Sequence, residues 1–85
     1  PVAPNNDILP FSVELRAGQP AFEQLAYSVR RAVIGGMLTP GSRFPSVRTM
    51  SRELRLHPNT VQKAVTVLVQ EGLLQVHPGI GTVVA

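Results

Sequence analysis

Side chains that form hydrogen bonds cluster at positions 58–63 of this chain. Asn59 and Gln62 carry amides, which donate and accept at the same time, and Lys63 adds a positive charge. Pro58 fits the first position of a helix, where its missing N–H costs nothing, so these side chains would lie in the first turns of a helix. A helix start that offers donors and positive charge suits the phosphates and base edges of the major groove of DNA.

The apolar residues that follow predict the helix that would carry these groups. They recur at i, i+3, i+4, i+7 and i+8, which is the spacing of one buried helix face. They are Val61, Ala64, Val65, Leu68 and Val69. The opposite face carries Asn59, Gln62, Lys63, Thr66 and Gln70, and Gly72 is placed to end the helix. An ordinary amphipathic helix with a solvated polar face has the same pattern, so this helix alone does not establish DNA binding.

Positive charge is concentrated in the middle of the chain, although the formal net charge of the whole chain is only +3. Seven of the eight basic residues lie between positions 30 and 63, where Glu53 is the only acidic residue. The seven are Arg30, Arg31, Arg43, Arg48, Arg52, Arg55 and Lys63. Such clustering is typical of a surface that binds a polyanion. The alternative is a scattered, solvated surface that serves solubility.

Composition excludes several other classes of protein. The 85 residues suffice for one domain with a modest core, and 44% hydrophobic with 15% charged residues indicates a globular chain. Without cysteine there is neither a disulfide nor a thiolate metal site, and we expect no metal or other cofactor. No apolar run approaches the roughly 18 residues of a membrane span, so we expect no membrane partner and a cytoplasmic location. The sequence has neither paired carboxylates nor a phosphate-binding loop that would indicate an enzyme.

Three helices and a hairpin are predicted. The first helix runs from about Ala21 to Ile34, and a second begins after Ser46, which is placed to cap it. A link of only about three residues then leads to the third helix, and two helices joined this tightly form a helix-turn-helix. Residues 73–77 and 82–84 look like strands joined by a turn, which makes a wing. The predicted fold is mainly α with a small antiparallel β-hairpin, a winged helix-turn-helix.

We assign residues 20–85 to this winged-helix domain and residues 1–19 to an N-terminal arm. Residues 1–10 predict irregular structure. Residues 11–15 alternate apolar and polar, which predicts a short strand or an extended segment. Its apolar side chains would dock on the first helix or on a partner.

Spaced motifs over residues 20–85, taken in order, resemble the N-terminal domain of the GntR family of bacterial transcription regulators. The motifs are PAFEQL at 20–25, GMLTPGSRFPSVR at 36–48, NTVQKA at 59–64, EGLL at 71–74 and GIGTV at 79–83. Residues 58–61 and the 11–15 lead-in are most similar to the YtrA-type branch. The resemblance implies a homodimer that acts, as a repressor in our interpretation, on a palindromic operator in double-stranded DNA. It also implies a small-molecule effector bound elsewhere than this segment.

The resemblance further implies which residues contact DNA. Arg48 ends a Pro-Ser-x-Arg motif whose arginine touches the DNA backbone or groove in the family. The first turn of the recognition helix supplies base contacts, and the wing tip reaches the minor groove. With the nearby basic and capping residues added, the candidate DNA-binding residues are Arg43, Ser46, Arg48, His57, Pro58, Asn59, Thr60, Gln62, Lys63 and Gly79.

Three positions depart from the family pattern. Pro58 stands where many relatives have arginine, so base reading would rest on Asn59 and Gln62, whose amides suit adenine. Arg55 stands where relatives usually carry glycine, and a positive φ there would cost on the order of 1 kcal/mol. The wing has neither arginine nor lysine, so its minor-groove contacts would depend on His77, backbone amides and shape.

A winged helix that binds another protein is the alternative function. Such modules usually lack a basic, donor-rich recognition face, which this chain has. The chain begins with proline rather than methionine and ends just after the predicted wing. We therefore expect a fragment of a longer regulator, with the regions for dimerisation and effector binding at least partly outside it.

Overall fold

Three helices and one hairpin make up residues 9–85, the part of the chain that the computed structural model describes. The helices are α1 (Ala21–Ile34), α2 (Val47–Leu54) and α3 (Pro58–Gln70), and the antiparallel strands are β1 (Leu74–His77) and β2 (Gly81–Val84). This order confirms the predicted winged helix-turn-helix. The predicted strand ends at 77 and 84 are correct, and the two predicted starts are each off by one residue, because the ladder pairs Leu74 with Val84 and His77 with Gly81.

The hydrophobic core lies among α1, α3 and the hairpin. The predicted apolar face of α3 is confirmed except at Val69, which is only partly buried. Met50 is the one fully buried residue of α2. The buried side chains of α1, α3 and the hairpin are Leu25, Ala26, Val29, Ala32, Val61, Ala64, Val65, Leu68, Leu74 and Val84.

Helices α1 and α3 run side by side in the same direction, as two contacts between them show. Near their starts, the Lys63 ammonium lies 4.1 Å from the centroid of the Phe22 ring. Near their ends, Arg30 Nε and Nη2 donate to the two carboxylate oxygens of Glu71 at 3.0 and 2.9 Å. The second contact is eight residues further along both helices, about 12 Å at the rise of an α-helix. The two helices are therefore joined at both ends of their interface.

The segment before α1 packs on this same domain. Phe11 is buried, and its ring stacks on Phe44 with centroids 5.5 Å apart. The Gln24 amide of α1 accepts from Arg16 N–H at 2.6 Å and donates to Arg16 O at 2.9 Å. Residues 11–15 form no strand, so the strand alternative is wrong. Phe11 and Val13 pack on the core while Leu15 stays exposed, and within residues 9–85 the backbone of this segment pairs with no neighbouring strand. The predicted arm residues 1–8 lie outside the described residues.

Candidate nucleic-acid interface

His57 caps the start of α3. Its Nδ1 accepts the Asn59 N–H at 3.0 Å, and its carbonyl accepts the N–H groups of Thr60 at 2.9 Å and Val61 at 3.2 Å. Pro58 has no N–H to satisfy. The backbone donors of this first turn are therefore all used within the chain, and any ligand must be recognised by side chains. Because Nδ1 is an acceptor, the ring proton lies on the exposed Nε2, which can donate outward.

Asn59 and Thr60 follow the capping residue His57, and their side chains are available for hydrogen bonds. Within residues 9–85 neither side chain forms a hydrogen bond, and Asn59 is exposed while Thr60 is half-buried. The alternative role for them, which is to satisfy first-turn N–H groups, is filled by His57 instead. An exposed amide at the start of a helix can donate and accept at once, which is what recognition of a base edge requires.

Gln62 and Lys63, one turn later, point to different neighbours. Gln62 Nε2 donates to Thr66 Oγ1 at 3.3 Å along the exposed face of α3. Lys63 instead lies over the Phe22 ring of α1. The exposed face of α3 therefore carries the amides of Asn59 and Gln62, with the positive charge displaced to the side that faces α1.

Arg55 sets the link between α2 and α3. It adopts the left-handed conformation with φ 56° and ψ 44°, the only positive φ outside glycine in the described residues. The Ser51 carbonyl accepts from both Arg55 N–H and Leu56 N–H, and Ser51 Oγ donates to Leu56 O at 2.6 Å. The positive φ considered for this position, because relatives usually carry glycine there, is therefore present. Arg55, which stands where relatives usually carry glycine, therefore sets the geometry of the turn that positions α3.

Arg43 and Ser46 lie on the segment between α1 and α2, and Arg48 lies in the first turn of α2. Phe44 N–H donates to Thr82 O at 2.9 Å, which places Arg43 alongside β2. Ser46 caps α2 as predicted, because its Oγ accepts the Thr49 N–H at 3.0 Å. Arg48 follows in the first turn, is exposed, and forms no ion pair within residues 9–85. Its guanidinium is therefore available to an anion.

The wing offers little charge. Gly79 lies in the turn between the strands with φ +81°, on the hairpin and not on α2 or α3. His77 Nε2 lies 3.0 Å from Gln75 Oε1. Val76 and Ile80 are 63% and 54% exposed. This part of the molecule can contact a ligand through shape, apolar surface and backbone groups.

Some of the basic residues counted in the sequence are already paired. Arg30 forms the bidentate ion pair with Glu71, and its hydrogen bond to that carboxylate raises the pKa of Arg30 above its usual value. Arg52 lies 3.5 Å from Glu53. Counting Arg30 as part of an anion-binding surface was therefore wrong, because its charge is paired with Glu71, which lies outside positions 30–63. Sequence reasoning also missed Phe22, whose partner Lys63 is distant in sequence.

A groove runs along the outer side of α1. This outer groove of α1 is lined by residues that include Val13, Arg16, Tyr27, Arg31 and Met37. Within residues 9–85, no three histidine or acidic side chains gather as metal ligands. None of the three helices is long and apolar enough to cross a membrane.

Comparison with known proteins assigns the fold and the family. The family model for bacterial regulatory proteins of the gntR family matches residues 21–84. The HTH-type transcriptional repressor YtrA of Bacillus subtilis is 32% identical over 73 residues, which are 86% of this chain and 56% of the repressor. The chain thus spans little more than half of that relative's length.

Two solved structures are similar in fold and sequence. YtrA from Sulfolobus acidocaldarius, a GntR-family transcription factor, has a TM-score of 0.76 and 32% identity, with 86% of this chain and 77% of that chain covered. The AraR DNA-binding domain in complex with operator ORE1 has a TM-score of 0.74 and 26% identity, covering 88% and 94%. The named relatives are regulators, in agreement with the prediction that the chain is not an enzyme. With its winged helix and its motifs in order, this chain belongs to the GntR family of bacterial regulatory proteins.

Proposed function

We propose that residues 20–85 are the sequence-specific DNA-binding domain of a homodimeric bacterial transcription regulator. Its action would be repression at a palindromic operator, in the cytoplasm where the chromosome lies. The observation that carries the proposal is the start of α3. There the backbone donors are satisfied by His57, and the amide of Asn59 remains exposed and unpartnered within the described chain.

The roles of the site residues follow from where their side chains lie. Asn59 and Gln62 would read base edges in the major groove, since an amide forms two hydrogen bonds with adenine. Arg48 would contact a backbone phosphate, because its guanidinium is exposed and has no ion-pair partner among the described residues. His57 would donate from Nε2 to a phosphate oxygen or a base. Phosphate contacts fix the position of the protein on the duplex, and the base contacts select the sequence.

Further candidates are placed around these. Arg43 would contact the DNA backbone beside the wing. Ser46, which caps α2, would hold the start of that helix against the DNA backbone. Pro58 and Thr60 would shape the contact surface of the first turn, and Gly79 would bring the wing close to the minor groove. The likeness to a DNA-binding domain that was solved with its operator supports this arrangement.

A homodimer and an effector would involve more of the protein than this chain. The chain spans 56% of the Bacillus repressor, so both properties are proposed for the longer regulator. Two-fold symmetry of the protein would appear as a palindrome in the operator. The effector would bind outside this segment.

Selection of bound sites from random duplexes tests the proposal, followed by affinity measurements at several salt concentrations. If roughly 3–5 phosphates are neutralised per domain, log affinity should fall with log salt at a slope of about −3 to −4.5. Arg48→Ala should weaken all duplexes similarly, whereas Asn59→Ala should relax the preference at one base position. Arg31→Ala, in the outer groove of α1, is the matched control for loss of one arginine and should change neither property.

Two results would contradict the proposal. The first is a flat dependence of affinity on salt, which would mean that phosphates are not neutralised. The second is an unchanged sequence preference in Asn59→Ala together with unchanged affinity in Arg48→Ala. Retention of a protein partner without any DNA would instead favour a winged-helix protein-interaction module.

A further inference from the structure

A shallow hollow separates the start of α1 from the first turns of α3. It is lined by Ala21 and Phe22 on one side and by Asn59, Thr60 and Lys63 on the other. The Lys63 ammonium lies 4.1 Å from the centroid of the Phe22 ring, within the range of a cation–π contact. The hollow therefore has a positive charge at a defined place on its wall.

Phe22 is a fixed support for that charge. Its ring is partly buried and packs against the hydrophobic core, so it cannot easily turn away. A lysine side chain in solvent samples many rotamers and loses that freedom when it binds an anion. Contact with the ring restricts Lys63 before any ligand arrives. The ring approaches the ammonium from one side only, and Lys63 forms no ion pair within residues 9–85, so its other N–H donors remain available.

The position of the ammonium favours a phosphate over a base. Asn59, Gln62 and Thr66 lie along the exposed face of α3, whereas Lys63 is drawn off that face toward α1. In a helix-turn-helix complex the recognition helix lies in the groove, and groups beside it meet the sugar-phosphate backbone. Glu23, the acidic residue next to Phe22, lines the outer groove of α1 and not the hollow. No carboxylate of the hollow itself therefore opposes an anion.

We propose that this hollow binds one phosphate of the DNA backbone, with Lys63 as the contacting group and Phe22 as the residue that positions it. The inference rests on the proposed DNA binding and adds a specific subsite to it. Phe22 touches no DNA in this scheme and acts through Lys63. The contact is independent of base sequence, so it contributes affinity and register but no preference for one operator.

Affinity of the 85-residue chain for a random-sequence duplex, measured between 0.05 and about 0.3 M salt, tests this subsite. Lys63→Met should reduce the magnitude of the salt slope by about 0.9 and weaken binding at 0.1 M salt by up to about eightfold. Phe22→Leu keeps an apolar side chain but removes the ring. It should shift both the salt slope and the affinity toward the values of Lys63→Met. In the Lys63→Met background, Phe22→Leu should weaken binding no further. Phe22→Tyr keeps the ring and should bind like the unmodified chain.

The controls separate positioning from folding. Tyr27→Leu removes the ring of the Tyr27–Arg31 pair, whose ring and guanidinium lie 5.9 Å apart on α1, and should leave the salt slope unchanged. Thermal unfolding of each variant identifies any that fail to fold.

If Lys63→Met keeps the full slope, no phosphate contacts this residue and the inference is overturned. If Phe22→Leu folds and keeps the full slope while Lys63→Met does not, the positioning role is overturned. A flat slope in the unmodified chain would refute the proposed DNA binding itself, and the subsite with it.

Discussion

Replacement of Arg55 by glycine should stabilise the protein. Arg55 holds φ 56° and ψ 44° at the end of α2, a conformation that crowds the Cβ of any L-residue other than glycine against the backbone. That crowding costs about 1–2 kcal/mol per residue. The conformation cannot relax locally, because the Ser51 carbonyl accepts both Arg55 N–H and Leu56 N–H, the latter at 3.1 Å. The arrangement of α2 and α3 therefore maintains the strain.

The net gain is smaller than the strain relieved. Glycine has more conformational freedom in the unfolded chain, which offsets about 0.4–1 kcal/mol. The Arg55 side chain is exposed and forms no ion pair within residues 9–85, so its removal costs little in the folded state. We expect Arg55→Gly to raise the free energy of unfolding by about 0.5–1 kcal/mol. For a domain of this size, that corresponds to a rise in Tm of roughly 2–8 °C.

Thermal and urea unfolding of three proteins measures this effect. Arg55→Ala is the matched control, because it removes the same guanidinium but keeps a Cβ in the left-handed conformation. Its stability should stay close to that of the unmodified chain, with Arg55→Gly above both. Equal midpoints for Arg55→Gly and Arg55→Ala would refute the reasoning, since they would show that the Cβ carries no strain at this position.

Two further changes test the packing around the site. Phe11→Leu should lower the free energy of unfolding by about 1–2 kcal/mol, because it removes the stacked ring 5.5 Å from Phe44; an unchanged urea midpoint would mean that the lead-in does not support the core. Arg30→Met should cost less than about 1 kcal/mol, because the side chains of Arg30 and Glu71 are 34% and 39% exposed and the pair is screened by solvent. The loss should shrink in 1 M salt, and a loss independent of salt would contradict an electrostatic origin.

The local parts of the fold could be predicted because their causes lie within a few residues. The apolar spacing of residues 61–69 and the capping preference of Ser46 each act over one or two turns, and both predictions were correct. The positive φ of Arg55 is indicated by the family resemblance, since relatives usually carry glycine there, and by no local pattern of this chain. The lead-in at 11–15 was predicted less well, because alternation of apolar and polar residues appears in any segment that docks on one side, with or without a neighbouring strand.

Contacts between distant residues could not be predicted in the same way. A count of charges along the chain places Arg30 in a basic cluster, but folding brings it to Glu71, beyond that cluster. Nor does any local pattern show that Lys63 lies over Phe22. Both pairs depend on how α1 is set against α3, which is decided by the packing of two complete apolar faces.

The two ties between α1 and α3 have a mechanical consequence. Because Phe22 meets Lys63 and Arg30 meets Glu71 about 12 Å apart, rotation of one helix relative to the other would break one of these contacts. Helix α2 packs against α3 and is also joined to it through the tight turn at Arg55. A displacement of α1 would therefore reach α3 directly through their shared interface, without passing through the tight turn.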